Sequence, residues 1–195
     1  MLRDALIERC APTLAGIKTG NLFSLETEET DMTQEIRRLN RVLVGKGLRL
    51  IPLRRSRKRT LIYLYRPEML REDLIYPEAA QILEEKGYPC GDADRCVAEL
   101  IRHLASDEEF PHEIGLFLGY PPSDVRGFMN SPWEGVRCVG CWKVYGDPME
   151  AERLFAAYRR CTATYRSEVR NGKSLEHLIV TNRAGGWHQA ANMEQ

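Results

Sequence analysis

Hydrophobic residues recur every three or four positions in several parts of the chain, which is the spacing of an amphipathic helix. This pattern predicts a helix at 31–44, where the apolar positions are Met32, Ile36, Leu39 and Leu43. It also predicts a helical region in pieces at 67–87 and a helix at 92–105. Asp147, Pro148 and Glu150 combine an N-cap, a first-turn proline and a capping glutamate, so we predict that a long helix begins there.

Other segments have the pattern of extended chain. A short helix before Pro12 precedes predicted extended pieces at 13–18 and 22–25, and two strands are predicted at 48–53 and 60–66. The segment 113–120 is apolar on both faces, which is typical of a central strand covered on both sides. A short helix from 121 to about 130 and a strand at 138–145 would complete a strand–helix–strand unit at 113–145, with a right-handed crossover.

These elements predict an α+β (mixed α/β) fold in one domain at 1–180. The core would be a roughly five-stranded mixed sheet with helices packed on it. The last segment, 181–195, is polar and rich in glycine, and it is predicted to be a disordered tail.

The composition restricts the possible partners. The 195 residues include 28 Lys and Arg and 28 Asp and Glu, so the formal net charge is zero. No global field then attracts nucleic acid or a membrane surface. The N-terminal segment is charged and no apolar run reaches the length of a membrane span, so we predict a cytoplasmic protein.

The six cysteines include one closely spaced pair, Cys138 and Cys141. Such a pair suits a zinc or redox site. On a regular strand, however, residues three apart point to opposite faces. No second pair of ligands is evident in the sequence, so we predict no metal site and interpret most cysteines as small buried apolar residues.

A basic loop lies between the two central predicted strands and contains Arg54, Arg55, Arg57, Lys58 and Arg59. It could contact the phosphates of nucleic acid or of a nucleotide. The alternative is a solvated hairpin tip, and the absence of an aromatic residue in the run favours that alternative.

The preferred ligand site is the turn at 119–124. A strand followed by a helix N-terminus presents free backbone N–H groups to an anion. The residues assigned to this site are Lys18, Tyr120, Ser123, Asp124, Lys143 and Tyr145. His112 would begin the strand that Tyr120 ends, more than about 20 Å away, so it is not assigned to the same site.

Four sequence stretches resemble a known family. They are CAPTLAGIKTGNLF, LIYLYRP, HEIGLFLGYPPSDVRGF and WKVYGD. The resemblance runs from about Cys10 to about Tyr165 and is to a bacterial domain-of-unknown-function family, found mainly in anaerobic Gram-positive organisms. It implies no activity. It does imply a genomic context of flavodoxins and ferrous-iron transport.

The resulting functional hypothesis is a cytosolic accessory protein that binds a small anionic ligand or cofactor. The resemblance implies a link to iron or flavin redox metabolism, with a redox protein as a further partner. An alternative is an enzyme in which Lys18, Tyr120, Lys143 and Tyr145 converge. A third is nucleic-acid binding through the basic loop. No particular cofactor and no membrane partner are indicated.

Overall fold

A computed structural model of the chain describes residues 1–26, 29–56, 58–106 and 109–181. Its central element is an antiparallel sheet of three strands, β1 (Gly20–Glu26), β2 (Arg49–Arg55) and β3 (Arg59–Tyr65), in the order β1-β3-β2. The predicted hairpin of β2 and β3 is confirmed, but its strands extend into the basic loop: Arg54 and Arg55 end β2, and Arg59 begins β3.

The helices surround this sheet, and the long ones begin close to where the sequence predicts. Their bounds are α1 Leu2–Leu14, α2 Glu29–Leu43, α3 Pro67–Leu74, α4 Pro77–Glu85, α5 Ala93–Ala105, α6 Ile114–Phe117, α7 Pro122–Asn130, α8 Pro148–Arg170 and α9 Leu175–Leu178. A 3-10 turn at Val44–Lys46 follows α2. The predicted cap of α8 is confirmed, because the Asp147 carboxylate accepts hydrogen bonds from the backbone N–H groups of Met149 and Glu150.

Alternation along β3 explains why helices cover both faces of the sheet. Ile62 and Leu64 are buried in one cluster with α1 and α2, whereas Tyr63 and Tyr65 are buried in another with α3 to α7. Neighbouring residues of a strand point to opposite faces, so a strand that is apolar throughout requires a layer on each side. The fold therefore has three layers, with the sheet in the middle.

A smaller cluster lies where the N-terminal half of α8 meets two very short strands, β4 (Cys138–Val139) and β5 (Lys143–Val144). These strands pair with each other as an antiparallel hairpin and form their own two-stranded sheet. Trp142 and Phe155 pack edge to face in this cluster, with ring centres 4.6 Å apart.

The predicted five-stranded mixed sheet and its strand–helix–strand unit are wrong. The segment 113–120 contains the helical turn α6 and a bend, and the segment 138–145 is a hairpin rather than one strand. No crossover connection links the two segments. The physical reason is that an apolar run buried on all sides has no polar face, so its pattern does not distinguish a strand from a short buried helix.

Two further predictions concern the ends of the chain. The extended piece predicted at 13–18 is wrong, because α1 continues through Pro12 to Leu14 and residues 15–18 form a turn and a bend before β1 begins. A proline in the last turn of a helix removes only one backbone hydrogen bond, and the burial of Cys10, Ala11 and Leu14 compensates for that loss. The predicted tail at 181–195 lies, apart from residue 181, outside the described residues. Within the described part of the chain, no helix is both long enough and apolar enough to span a membrane.

Candidate functional site

The turn between α6 and α7 carries Tyr120, which is half-buried in the helical layer formed by α3 to α7. Gly119 has a φ of 73°. A Cβ atom there would lie 2.7 Å from the Thr19 hydroxyl, which itself donates to the buried carboxylate of Asp73. Glycine is therefore needed both for the backbone conformation and for the close approach. The Tyr120 N–H donates to the Gly115 carbonyl at 3.0 Å and closes the turn.

Asp124 joins α7 to the β4–β5 hairpin. Its carboxylate is 3% exposed. Oδ2 accepts a hydrogen bond from the Trp142 indole at 2.7 Å, and Oδ1 accepts from the N–H groups of Tyr145 at 2.8 Å and Gly146 at 2.7 Å. Three donors thus satisfy this buried carboxylate and connect α7 to the hairpin.

These hydrogen bonds bear on the prediction that free backbone N–H groups of the turn at 119–124 bind an anion. The Asp124 N–H donates to the Pro121 carbonyl at 2.9 Å, so this donor is already used within the protein. Ser123 is exposed, and its hydroxyl lies beside Gly146. The donors at 145–146 hold the protein's own carboxylate. An external anion therefore cannot use the N–H groups of Asp124, Tyr145 or Gly146.

Lys143 provides another donor. Its Nζ donates to the Pro132 carbonyl at 2.8 Å and lies over two aromatic rings, 3.7 Å from the centre of Trp133 and 5.5 Å from that of Phe128. Among the described residues, no carboxylate forms an ion pair with Lys143. Within the described residues, two of its three N–H donors thus have no acceptor, and no side chain neutralises its charge.

Tyr145 has a different role from Lys143 although both were assigned to one site. Its hydroxyl donates to the Ser131 carbonyl at 3.0 Å, and its ring covers Gly127, where a Cβ atom would come within 2.4 Å of it. Tyr145 therefore fastens the loop between α7 and β4. It is not part of the open surface beside Lys143.

An open cleft of about 340 Å³ lies between α6, α7 and the β4–β5 hairpin. Most of its lining is apolar or aromatic, and its side chains include His112, Tyr120, Phe128, Val139, Trp142 and Lys143. Tyr120 and Trp142 stack with ring centres 4.5 Å apart. Of the described residues that line the cleft, Asp124 is the only carboxylate and Lys143 the only lysine or arginine. The predicted ligand residues Tyr120, Asp124 and Lys143 are thus brought together.

The cleft also brings together two residues that the sequence interpretation separated. His112 and Tyr120 both line it, because the segment between them is a helical turn and not an extended strand. A helix advances only about 1.5 Å per residue, against about 3.3 Å for a strand. The sequence analysis did not predict the aromatic residues Phe128 and Trp142 as part of the site. Their positions depend on how α7 and the hairpin pack, and no local sequence signal reports that.

Lys18 lies beneath the cleft and does not line it. Its Nζ is 5.2 Å from the centre of the Tyr120 ring and donates to the carbonyls of Gly20 and Leu118, the latter at 2.8 Å. Burial lowers the Lys18 pKa to about 8. The two carbonyl contacts connect the start of β1 to the turn that carries Tyr120, so the side chain has a structural role.

Cys138 and Cys141 lie on the hairpin, where the argument from a regular strand does not apply. Cys138 is half-buried and packs against the small cluster, whereas Cys141 is exposed and lines the cleft. Burial raises the Cys141 pKa despite the opposing influence of Lys18 and Arg159, so the thiol is not activated as a nucleophile. The described part of the chain contains no group of three or more side chains suited to holding a metal ion.

The basic loop carries charges of which at least one is paired. Arg59 donates to the Glu26 carboxylate on the neighbouring strand at 2.8 Å. Arg54, Arg55 and Lys58 are exposed, and Arg57 lies outside the described residues. The tip is therefore a solvated hairpin end with a partly compensated charge, and no aromatic residue interrupts it.

The chain belongs to the family DUF3793, described as a protein of unknown function, whose model matches residues 6–179. This confirms the resemblance to a family of unknown function. No curated protein and no solved structure matches the chain significantly.

Proposed function

We propose that the protein binds a small organic anion with an apolar body in the cleft between α6, α7 and the β4–β5 hairpin. The observation that carries this proposal is the position of Lys143, a cation without an ion-pair partner among the described residues, at a mostly apolar and aromatic cleft. Ligand sites in proteins commonly combine an apolar lining with a few convergent polar groups.

The charge distribution supports an anion rather than a cation. The Asp124 carboxylate already accepts three hydrogen bonds from the hairpin, and these offset its charge. The Lys143 ammonium, in contrast, is held by one carbonyl and two ring faces. A charge-assisted hydrogen bond to an anionic group would satisfy its remaining donors.

The cleft size supports a small ligand. A volume of about 340 Å³ lies at the lower end of the range for ligand sites, about 300–1,000 Å³. The ligand class that fits is therefore a compact organic carboxylate, sulfonate or phosphate, and not a polymer.

Isothermal titration calorimetry with two probe anions tests this proposal. The probes are 2-naphthalenesulfonate and camphorsulfonate, which share the sulfonate and differ in the shape of the apolar body. Lys143→Met should weaken the binding of both by about ten- to a hundredfold, since a hydrogen bond to a charged group contributes about 1.5–3 kcal/mol. The matched control is Lys58→Met, because Lys58 is exposed on the basic loop and does not line the cleft.

The result that would overturn the proposal is the absence of measurable binding by either anion, or an equal effect of the two lysine substitutions. Equal effects would mean that the anions respond to the overall charge of the protein and not to the cleft.

The link to iron or flavin redox metabolism rests on the family resemblance and not on the cleft. An absorption spectrum of the purified protein tests it, because bound flavin gives a visible absorption band. A colourless protein that binds neither flavin mononucleotide nor a flavin-containing redox protein would remove this link while leaving the cleft proposal intact.

The enzyme alternative is less well supported. Lys18 and Tyr145 are engaged in structural contacts and do not line the cleft with Tyr120 and Lys143. Nucleic-acid binding through the basic loop has no observation in its favour beyond the charges themselves.

A further inference from the structure

The imidazole of His112 is a second nitrogen-bearing group of the cleft, besides the Lys143 ammonium. His112 lines the cleft and is half-buried. Its ring makes an edge-to-face contact with Phe128, at 5.0 Å between ring centres, and lies 6.0 Å from the ring of Phe110. Among the described residues, no protein group forms a hydrogen bond with either ring nitrogen. The aromatic contacts therefore hold the ring but satisfy neither nitrogen.

An imidazole in this state can donate to an external acceptor. A neutral imidazole has one N–H, and the hydrogen bond made by one nitrogen sets which nitrogen carries that proton. No protein hydrogen bond within the described residues makes that choice for His112. The ring can therefore present its N–H on whichever nitrogen meets an acceptor.

His112 and Lys143 are neighbours of the same aromatic ring. The centre of Phe128 is 5.0 Å from the centre of the His112 ring and 5.5 Å from the Lys143 Nζ, and all three residues line the cleft. The two nitrogen groups are therefore no farther apart than the sum of these distances. A chain of a few carbon atoms spans such a separation and would lie against the apolar ring between them.

The charges of the cleft favour an anionic acceptor at both positions. Asp124 is the only carboxylate among the described residues that line the cleft, and the hairpin already satisfies it with three donors. Neither His112 nor Lys143 has a carboxylate partner in the described part of the chain. A hydrogen bond from the imidazole to a charged acceptor is stronger than one to a neutral acceptor.

We infer that the ligand of the cleft carries two anionic groups, one that contacts Lys143 and one that accepts a hydrogen bond from His112, joined by an apolar body that lies against Phe128. This inference deepens the proposed function and rests on it. It narrows the class of ligand to small organic dianions whose charges are separated, such as linear dicarboxylates.

The test compares adipate with hexanoate, which have the same number of carbon atoms and differ in the second carboxylate. Each is used to displace 2-naphthalenesulfonate in isothermal titration calorimetry at one pH and ionic strength, after the affinity of the sulfonate has been measured in each protein. We expect adipate to bind the unchanged chain about tenfold more tightly than hexanoate, because only adipate can add a charge-assisted hydrogen bond from His112.

Substitutions of His112 separate hydrogen bonding from packing. His112→Phe keeps a ring between those of Phe110 and Phe128 but has no donor, so the preference for adipate should fall below about twofold. His112→Leu also lacks a donor and should behave in the same way, so the result does not depend on whether phenylalanine fits. His112→Gln keeps an N–H donor and should retain part of the preference. Circular dichroism and the affinity for 2-naphthalenesulfonate check that each variant is folded.

The matched control is His177→Phe, because His177 is exposed on α9 and does not line the cleft. It should leave the preference for adipate unchanged. A preference that persists in His112→Phe and His112→Leu would overturn the inference, because it would then follow from the overall charge of adipate.

The sulfonate distinguishes failure of this inference from failure of the proposed function. If 2-naphthalenesulfonate binds through Lys143 but adipate binds no better than hexanoate, or does not displace the sulfonate, the anion site stands and the dianionic ligand is overturned. If 2-naphthalenesulfonate, adipate and hexanoate all fail to bind, the proposed function itself fails, and this inference fails with it.

Discussion

Replacing Asp124 with asparagine removes the charge at the junction of α7 and the hairpin while preserving the shape of the side chain. The asparagine carbonyl can keep both hydrogen bonds that Oδ1 accepts, from the N–H groups of Tyr145 and Gly146. Its amide nitrogen then replaces Oδ2 and faces the Trp142 indole N–H, 2.7 Å from Oδ2 in the structure. Two donors would oppose each other in a buried position.

The expected cost follows from these contacts. A buried donor left without an acceptor costs about 1–3 kcal/mol, and the two retained hydrogen bonds weaken because their acceptor is no longer charged. We expect Asp124→Asn to lower the free energy of unfolding by about 3 kcal/mol. That is a large part of the roughly 5–15 kcal/mol typical of a folded domain.

A double-mutant cycle measures the contribution of the indole contact. Trp142→Phe removes the opposing donor and keeps an aromatic ring between Tyr120 and Phe155. In that background, Asp124→Asn should cost about 1–2 kcal/mol less than in the unchanged chain. Urea unfolding followed by circular dichroism gives all four free energies without relying on the fluorescence of Trp142.

Asp147→Asn is the matched control, because Asp147 is exposed and caps α8, where asparagine is as good an N-cap as aspartate. It should change the free energy of unfolding by less than about 0.5 kcal/mol. The reasoning is refuted if Asp124→Asn is as mild as this control, or if the two substitutions of the cycle are additive.

Three further predictions concern other parts of the chain. Burial lowers the pKa of Lys18 from its ordinary 10.5 to about 8 in the folded protein, so between these two pH values the unfolded chain binds a proton that the folded protein has lost. The free energy of unfolding should therefore rise by about 2 kcal/mol from pH 8 to 10, relative to the Lys18→Met variant. A flat difference between the two proteins in urea unfolding would contradict the burial of that charge. Gly140→Ala should destabilise by about 1–3 kcal/mol, because its Cβ would lie 2.2 Å from the Phe155 ring, whereas Gly45→Ala, with no atom within 4 Å, should be neutral or slightly stabilising. Equal melting temperatures for the two alanine variants would show that the hairpin is not packed as described. Replacing the basic residues of 54–59 with serine should leave the circular dichroism spectrum unchanged, and if RNA binds there, its salt slope should fall by about 0.7–0.9 per lost phosphate contact. RNA binding that ignores the change would exclude this loop as the contact.

The sequence correctly predicted those helices and strands that have a polar face or a capping residue. The helix that begins after Asp147 and the β2–β3 hairpin follow from capping residues and from strand patterns around a turn. Both signals lie within a few residues of the structure that they specify, so tertiary packing does not need to be known.

The cleft could not be derived in this way. The segment 113–120 is buried on all sides, and its helical turn depends on Gly115, where a Cβ atom would come within 2.8 Å of Val125 in α7. The hairpin likewise depends on Gly140 packing against Phe155, a residue of the following helix. Contacts between distant segments therefore decide both walls of the cleft. The residues Tyr120, Asp124 and Lys143 were nevertheless assigned to one site, on the expectation that 113–120 and 138–145 are parallel strands that end at the same edge of a sheet; these strands do not exist, and the three residues meet through the packing of α7 against the hairpin.

The most direct test of the account is a crystal structure of the protein with 2-naphthalenesulfonate. We predict that the sulfonate lies within about 3 Å of the Lys143 Nζ and that the naphthalene ring lies in the cleft, against its apolar and aromatic lining. A structure in which the cleft is empty and the anion lies elsewhere, or in which the sulfonate contacts groups other than Lys143, would contradict the account.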